Sequence, residues 1–133
     1  MLHSNITEKI IQAFYKVNNS LGYGFLEKVY ENAMVVELGK IGCNVDQQKK
    51  IKVHYEGKEV GEYYADLLVD GLVIVELKAS ESLCKENEAQ LINYLRATEL
   101  EVGMLLNFGR KAEFRRKVFT NDKKTKLCLN TKP

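Results

Sequence analysis

Apolar residues fall at helical spacing in the first third of the chain. Over residues 5–20 they recur three or four positions apart, which predicts an amphipathic helix. The segment 21–24 then favours a turn, because its two glycines tolerate backbone angles that end helices. A second helix is predicted from about residue 26 to residue 41, ending near Gly42. Two helices are therefore expected before the first strand.

The pattern changes to the two-residue period of strands in the middle of the chain. Residues 51–55 alternate between apolar and polar, and a second strand should run through 63–69. Asp70-Gly71 is a strong hairpin signal and leads into the apolar run 72–77, which is typical of a buried strand. These three strands predict an antiparallel meander.

A helix and a buried strand follow the predicted meander. Residues 80–98 fit a helix, and the strand at 102–108 ends at Gly109. Residues 115–120 fit either a last edge strand or a turn of helix. The order ααβββαβ predicts an α/β sandwich, a single domain over residues 1–133 in which a mixed central sheet is flanked by helices.

Composition and cysteine content restrict the class of protein. Hydrophobic residues make up 45% of the chain and charged residues 29%, as in globular rather than disordered proteins. No apolar run approaches the length of a membrane span, and the first residues lack signal-peptide character. Cys43, Cys84 and Cys128 form no Cys-x-x-Cys pair, which argues for reduced thiols and against a zinc knuckle. A cytoplasmic protein without membrane association is expected.

The net charge of +2 hides a basic C-terminal segment. From about residue 110 onward the chain holds 9 of its 20 Lys and Arg residues and only 2 of its 18 Asp and Glu residues. This basic tail is a candidate for contacts with nucleic-acid phosphates, through Arg110, Lys111, Arg115, Arg116 and Lys117. A solvated, frayed terminus explains the same composition equally well, since charge alone is not specific.

The residues best suited to chemistry surround the predicted hairpin. Asp66 lies on one strand, and Glu76 and Lys78 follow the apolar run of the next. Charge beside a core is costly unless ligands compensate, and Glu76 and Lys78 share a face of their strand. A two-residue turn at Asp70-Gly71 would send Asp66 to the other face. A shared site therefore requires a β-bulge or an odd-numbered loop, such as a three-residue turn ending in Gly71.

These residues resemble the signature of a known superfamily. Asp66 followed by Glu76-Leu77-Lys78 is similar to the motif of the PD-(D/E)xK nucleases, although Ala65 stands where the motif has its proline. The resemblance covers roughly residues 5–119 and implies a restriction-endonuclease-like sandwich.

Two further motifs lie in the expected order on the predicted helices. The segment from Gly24 through Glu27 to Tyr30 matches the motif that names the GxxExxY family within this superfamily. Gln90 and Tyr94 resemble the Gln-x-x-x-Tyr element of its exonuclease-like branch. Each motif is weak alone, whereas several in order are fairly specific.

The resemblance implies a hydrolytic metal site. Asp66 and Glu76 would bind Mg²⁺ or Mn²⁺, with the Leu77 carbonyl and several waters completing the coordination. Lys78 would orient the metal-activated water or neutralise charge in the transition state. The alternative for Lys78 is an exposed lysine paired with Glu76.

Residues on the two helices would support this site, and each has a structural alternative. Glu27 would add a carboxylate near the metal, as the resemblance implies, or would only complement its helix dipole. Tyr30 fits a packed aromatic residue with a satisfied hydroxyl as well as it fits a site. Gln90 and Tyr94 would contact Lys78, the water or a phosphate, or Tyr94 would pack on the sheet.

The expected function is a metal-dependent nuclease that hydrolyses phosphodiester bonds in nucleic acid, with DNA favoured over RNA. A chain of 133 residues leaves little beyond the core fold, and a homodimer would widen its DNA track. One alternative is a nucleic-acid-binding or scaffold protein that keeps the nuclease fold without turnover. Another is a protein-interaction module that uses the surface around Tyr23 and Phe25.

Overall fold

The computed structural model describes residues 1–124; Lys126 of the basic segment and Cys128 lie outside the described residues. Three helices, five strands and one short turn of 3-10 helix make up this part of the chain. In chain order they are α1 (Ser4–Leu21), α2 (Glu27–Lys40), β1 (Val45–Tyr55), β2 (Lys58–Val69), β3 (Val73–Lys78), α3 (Lys85–Arg96), β4 (Val102–Phe108), β5 (Ala112–Val118) and the 3-10 turn Asn121–Lys123.

The strands form one mixed sheet in the order β1-β2-β3-β4-β5. Neighbouring strands are antiparallel except β3 and β4, which are parallel and are connected by α3. A parallel connection needs a crossover of this kind, because the chain must return to the end of the sheet at which the first strand began. The expected mixed sheet flanked by helices is confirmed. β5 resolves the open alternative at 115–120 in favour of an edge strand, which begins at Ala112.

The two faces of the sheet are covered by different helices. α1 packs its apolar stripe, which includes Ile6, Ile10 and Phe14, with α2 against one face. α3 covers the opposite face through Leu91 and Leu95. None of the helices in residues 1–124 is long and apolar enough to cross a membrane.

The starts of β1 and α3 are among the element boundaries that differ from the sequence prediction. β1 begins at Val45, six residues before the predicted start. The first residues of this edge strand face solvent and are polar, so they show no apolar alternation from which a strand could be predicted. α3 begins at Lys85 instead of near residue 80. Its start is fixed by a capping box in which Asn87 Oδ1 accepts a hydrogen bond from the Cys84 backbone N–H at 3.1 Å.

The turn between β2 and β3 has an odd number of residues, as a shared site requires. Val69 pairs with Val73, so the connection consists of residues 70–72 and includes Leu72 beyond Gly71. Asp70 and Gly71 have φ values of 53° and 68°, in the left-handed region that Asp and Gly tolerate in tight turns. This register brings Asp66 and Glu76 to opposite positions of the hairpin.

Candidate active site

The two acidic residues meet where β2 and β3 separate. The ladder between these strands ends at the pair of Leu67 with Val75. One position further, the Asp66 backbone N–H donates a hydrogen bond to Glu76 Oε2 at 3.1 Å. The Leu77 backbone N–H donates to Asp66 Oδ2 at 2.8 Å. Each carboxylate thus accepts a main-chain N–H from the opposite strand, and the carboxylates are held close together.

Burial makes this carboxylate pair costly without a cation. The pKa of Glu76 is raised from 4.5 to about 8, first because burial disfavours its charged form and second because Asp66 is nearby. Burial also raises the pKa of Asp66, against the opposing effect of the hydrogen bond from Leu77. The repulsion between these groups would be relieved by a positive ion.

A third carboxylate, Glu31 on α2, is linked to this pair through the side-chain amide of Gln48. Glu31 was not among the site residues predicted from the sequence. Glu31 is 4% exposed. The Gln48 side-chain amide donates to Glu31 Oε1 at 3.0 Å and to Asp66 Oδ1 at 3.3 Å. Gln48 has a φ of 53°, which places it outside the regular strand geometry. Glu31 raises the pKa of both Asp66 and Glu76, so it belongs to the same electrostatic site.

The residues of the Gly24-to-Tyr30 motif are divided between surface and core. Glu27 is exposed at the first position of α2 and forms no ion pair within the described part of the chain. Tyr30 is fully buried, and its hydroxyl donates to the Gly22 carbonyl at 2.7 Å. Tyr30 therefore has the packed, hydrogen-bonded environment that was one of its two interpretations.

Lys78 is half-buried on the same strand as Glu76 and lowers the pKa of both Asp66 and Glu76. It is not within ion-pair distance of Glu76, so that alternative does not describe the structure. The chain after Lys78 is held by the buried Asn107. Asn107 accepts from the Ser80 N–H and donates to the Ser80 carbonyl, both at 3.0 Å.

Tyr94 of α3 lies against the same site, together with Tyr63 of β2, which is not part of any of the motifs. Its ring stacks on Tyr63 of β2 with 3.6 Å between ring centroids. Burial raises the pKa of Tyr94, and Glu76 adds to the rise. Gln90 is exposed on the preceding turn of α3, and its side chain lowers the pKa of Tyr94, against the rise caused by burial and by Glu76. Tyr94 both packs on the sheet and approaches the carboxylates.

The candidate nucleic-acid-binding residues do not form one continuous patch. Arg115 and Lys117 on β5 form ion pairs with Glu88 of α3, at 3.3 and 2.6 Å. The Arg116 guanidinium donates to the Leu2 carbonyl. Arg110 lies over the Tyr23 ring, and Lys111 is exposed beside it. Residues 112–118 are thus part of the sheet, and internal partners already occupy three of the five basic side chains.

The donor atoms at the strand ends fit a hard divalent cation. Asp66 Oδ1 accepts only the 3.3 Å hydrogen bond from Gln48, and Glu76 Oε1 accepts none from the described residues. Carboxylate oxygens of this kind suit Mg²⁺ or Mn²⁺. Within residues 1–124, however, no three His, Cys, Asp or Glu side chains are already arranged as a metal site. Two carboxylates, a main-chain carbonyl and waters are the ligands that this site offers, and the Gln48 amide lies between Asp66 and Glu31.

Comparisons with known proteins identify the family. A sequence model of the PD-(D/E)XK nuclease superfamily matches residues 4–117. No curated protein matches the chain significantly. A solved structure described as "Crystal structure of SSO0001" is similar to this chain with a TM-score of 0.47 and 17% identity, with 92% of this chain and 82% of that chain covered. Because the family match spans most of the sequence, the chain belongs to the PD-(D/E)XK nuclease superfamily.

Proposed function

We propose that this protein is a metal-dependent nuclease that hydrolyses phosphodiester bonds in nucleic acid, with DNA favoured. The observation that carries the proposal is the pair of half-buried carboxylates, Asp66 and Glu76, held together at the strand ends beside Lys78. The family supports it, since PD-(D/E)XK nucleases act on nucleic acid and generally use divalent metal ions.

Each residue of the site has a role that its environment supports. Asp66, Glu76 and the Leu77 carbonyl would hold Mg²⁺ or Mn²⁺, and Glu31 would contribute charge through Gln48. A bound divalent cation lowers the pKa of a coordinated water and offsets charge on the phosphate. The Lys78 ammonium is free to orient that water or to neutralise charge that develops on the phosphoryl oxygens.

The helix residues would act from the periphery. The Tyr94 hydroxyl feels the charges of Glu76 and Asp66, and the Gln90 amide acts on the same hydroxyl. Both groups would contact a phosphate or the attacking water. Glu27 would take part only through substrate or solvent, since it is exposed at the start of α2. The motif from Gly24 to Tyr30 further supports membership of the GxxExxY branch, in which we place this chain.

A second function is a nucleic-acid-binding or scaffold protein that keeps the fold without turnover. Membership of a nuclease fold does not by itself establish turnover. Under this alternative, Asp66 and Glu76 would share a proton instead of binding a cation, as the raised pKa of Glu76 allows.

Partners and compartment follow from the proposed function. A homodimer would lengthen the track for DNA beyond what one small domain provides. We place the protein in the cytoplasm, where free thiols such as those of Cys43 and Cys84 remain reduced.

The test is cleavage of labelled single- and double-stranded DNA and RNA in Mg²⁺ or Mn²⁺. Wild-type protein and Lys78→Ala are compared, with Lys9→Ala as the control because Lys9 is an exposed lysine of α1, a helix that contributes no residue to the site. Cleavage that is lost in Lys78→Ala, retained in Lys9→Ala and stopped by EDTA is the expected result. No cleavage by the wild type, or equal cleavage by all three proteins, would favour the non-catalytic function.

A further inference from the structure

The loop between α1 and α2 exposes large apolar side chains and lines a cleft with the residues that follow β3. Tyr23 is 56% exposed and Leu26 is 80% exposed, and Phe25 between them also faces solvent. Scattered exposed apolar residues are common, but neighbouring ones on a single loop are typical of a binding surface.

The buried Tyr30 holds the backbone of this loop in place. The Tyr30 hydroxyl donates to the Gly22 carbonyl at 2.7 Å and accepts from the Phe25 N–H at 3.2 Å. The Tyr30 ring in turn stacks on Phe108 of β4, with 4.4 Å between centroids. The exposed side chains are therefore carried by a backbone that is fixed to the core, and binding would require little ordering of the loop.

A cleft of about 220 Å³ lies between this loop and the chain that follows Lys78. Tyr23 and Gly24 form one wall, and residues 79–81 and 108–110 form the others. The last two walls are in close contact, because a Cβ at Gly109 would clash with the Ser80 carbonyl oxygen. The cleft is thus a formed feature that begins one residue beyond the proposed catalytic lysine.

The chemistry of the cleft fits a nucleotide. The Arg110 guanidinium lies 5.1 Å from the centre of the Tyr23 ring, and Lys111 follows it at the surface. Aromatic rings and guanidinium planes stack with bases, while the positive charges attract the phosphates of the same strand. Glu81 lines the cleft as well, and its carboxylate can accept from an exocyclic amine of a base but repels a phosphate.

We propose that this cleft binds an unpaired nucleobase next to the scissile phosphate, stacked on Tyr23. A base within a continuous duplex is already covered on both faces, so only a base from a single strand, an overhang or a branch can occupy the platform. The protein would therefore prefer substrates with unpaired nucleotides at the cleavage site. This inference rests on the proposed function, because it specifies which nucleic acid reaches Lys78.

The test measures binding without cleavage, by fluorescence anisotropy in EDTA. Single-stranded DNA, a duplex with an overhang and a blunt duplex of equal length are compared, with 2-aminopurine at an unpaired position as a second probe. Tyr23→Leu removes the ring, and Tyr23→Phe keeps it. Tyr55→Leu is the matched control, since Tyr55 is 54% exposed at the far tip of the β1–β2 hairpin.

Wild-type protein and Tyr23→Phe should bind the unpaired probes more tightly than the blunt duplex and should quench 2-aminopurine. Tyr23→Leu should weaken binding of the unpaired probes about tenfold, in line with base–aromatic stacking, and should leave duplex binding unchanged. The inference is wrong if Tyr23→Leu behaves like Tyr55→Leu, if it weakens duplex binding equally, or if the wild type binds no probe. Cleavage that depends on Lys78 would still support the proposed function in the first two cases.

Discussion

The Glu76 carboxyl gives the protein a measurable dependence on pH at the scale of one residue. Its pKa is 4.5 when solvated and about 8 in the fold, chiefly because of burial and then of Asp66. Between these values the folded state keeps a proton that the unfolded chain has lost. The free energy of unfolding of the metal-free protein should therefore fall as pH rises from 4.5 to about 8.

Urea denaturation in EDTA across this pH range would check the expectation, with Glu76→Gln as the comparison. The amide cannot ionise, so the variant should gain stability relative to the wild type as pH rises. A difference between the two proteins that does not change with pH would show that Glu76 titrates normally in the fold.

At the residue scale, sequence reasoning identified the residues on strands better than those on the helix. Glu76 and Lys78 could be assigned to one face from strand parity, whereas the position of Asp66 depended on the length of the turn, which the sequence left open. Glu31 was missed because the motif drew attention to Glu27, and only packing decides which of the two faces the sheet. A signal existed, since Glu31 lies three residues before Met34 in the buried stripe of α2.

At the element scale, one buried side chain fixes the connection that leaves β3. Asn107 on β4 hydrogen-bonds both backbone groups of Ser80, just after Lys78. Asn107→Ala should lower the free energy of unfolding by about 1–3 kcal/mol, because it leaves these groups without their partner. Chemical denaturation would measure the loss, and Asn93→Ala on the exposed side of α3 should change stability little. Equal stability of both variants would contradict a supporting role for Asn107.

Helices and central strands could be predicted because their apolar residues follow the period of the element. The helix at 5–20 and the strand at 102–108 lie within one residue of the observed bounds. The first half of β1 carries no such signal, since residues 46–50 are polar, and its contacts are hydrogen bonds to β2 and from Gln47 and Gln48 to Glu31 of α2. Its strand conformation comes from hydrogen bonds to a distant segment, which a local pattern does not contain.

At the scale of the whole molecule, metal binding and folding should be coupled. A cation that binds only the folded protein stabilises it by about 2.7 kcal/mol at a concentration one hundred times its Kd. Thermal unfolding in Mg²⁺ or Mn²⁺ should therefore occur at higher temperature than in NaCl of equal ionic strength. The double variant Asp66→Asn, Glu76→Gln should not respond, because its carboxylates are gone. Equal shifts in both proteins would place the cation elsewhere.

The polar edge of the sheet also bears on solubility. Within residues 1–124, β1 leaves one row of backbone groups without a neighbouring strand, a geometry that invites a second copy to pair and start an aggregate. Lys49, Lys50 and Lys52 stand along this strand, where Lys50 and Lys52 pair with Glu62 and Glu59, so a second copy would meet charged side chains there instead of apolar ones. These lysines, which made the strand unrecognisable in the sequence, thus disfavour aggregation through β1. A dimer is expected to form through another surface.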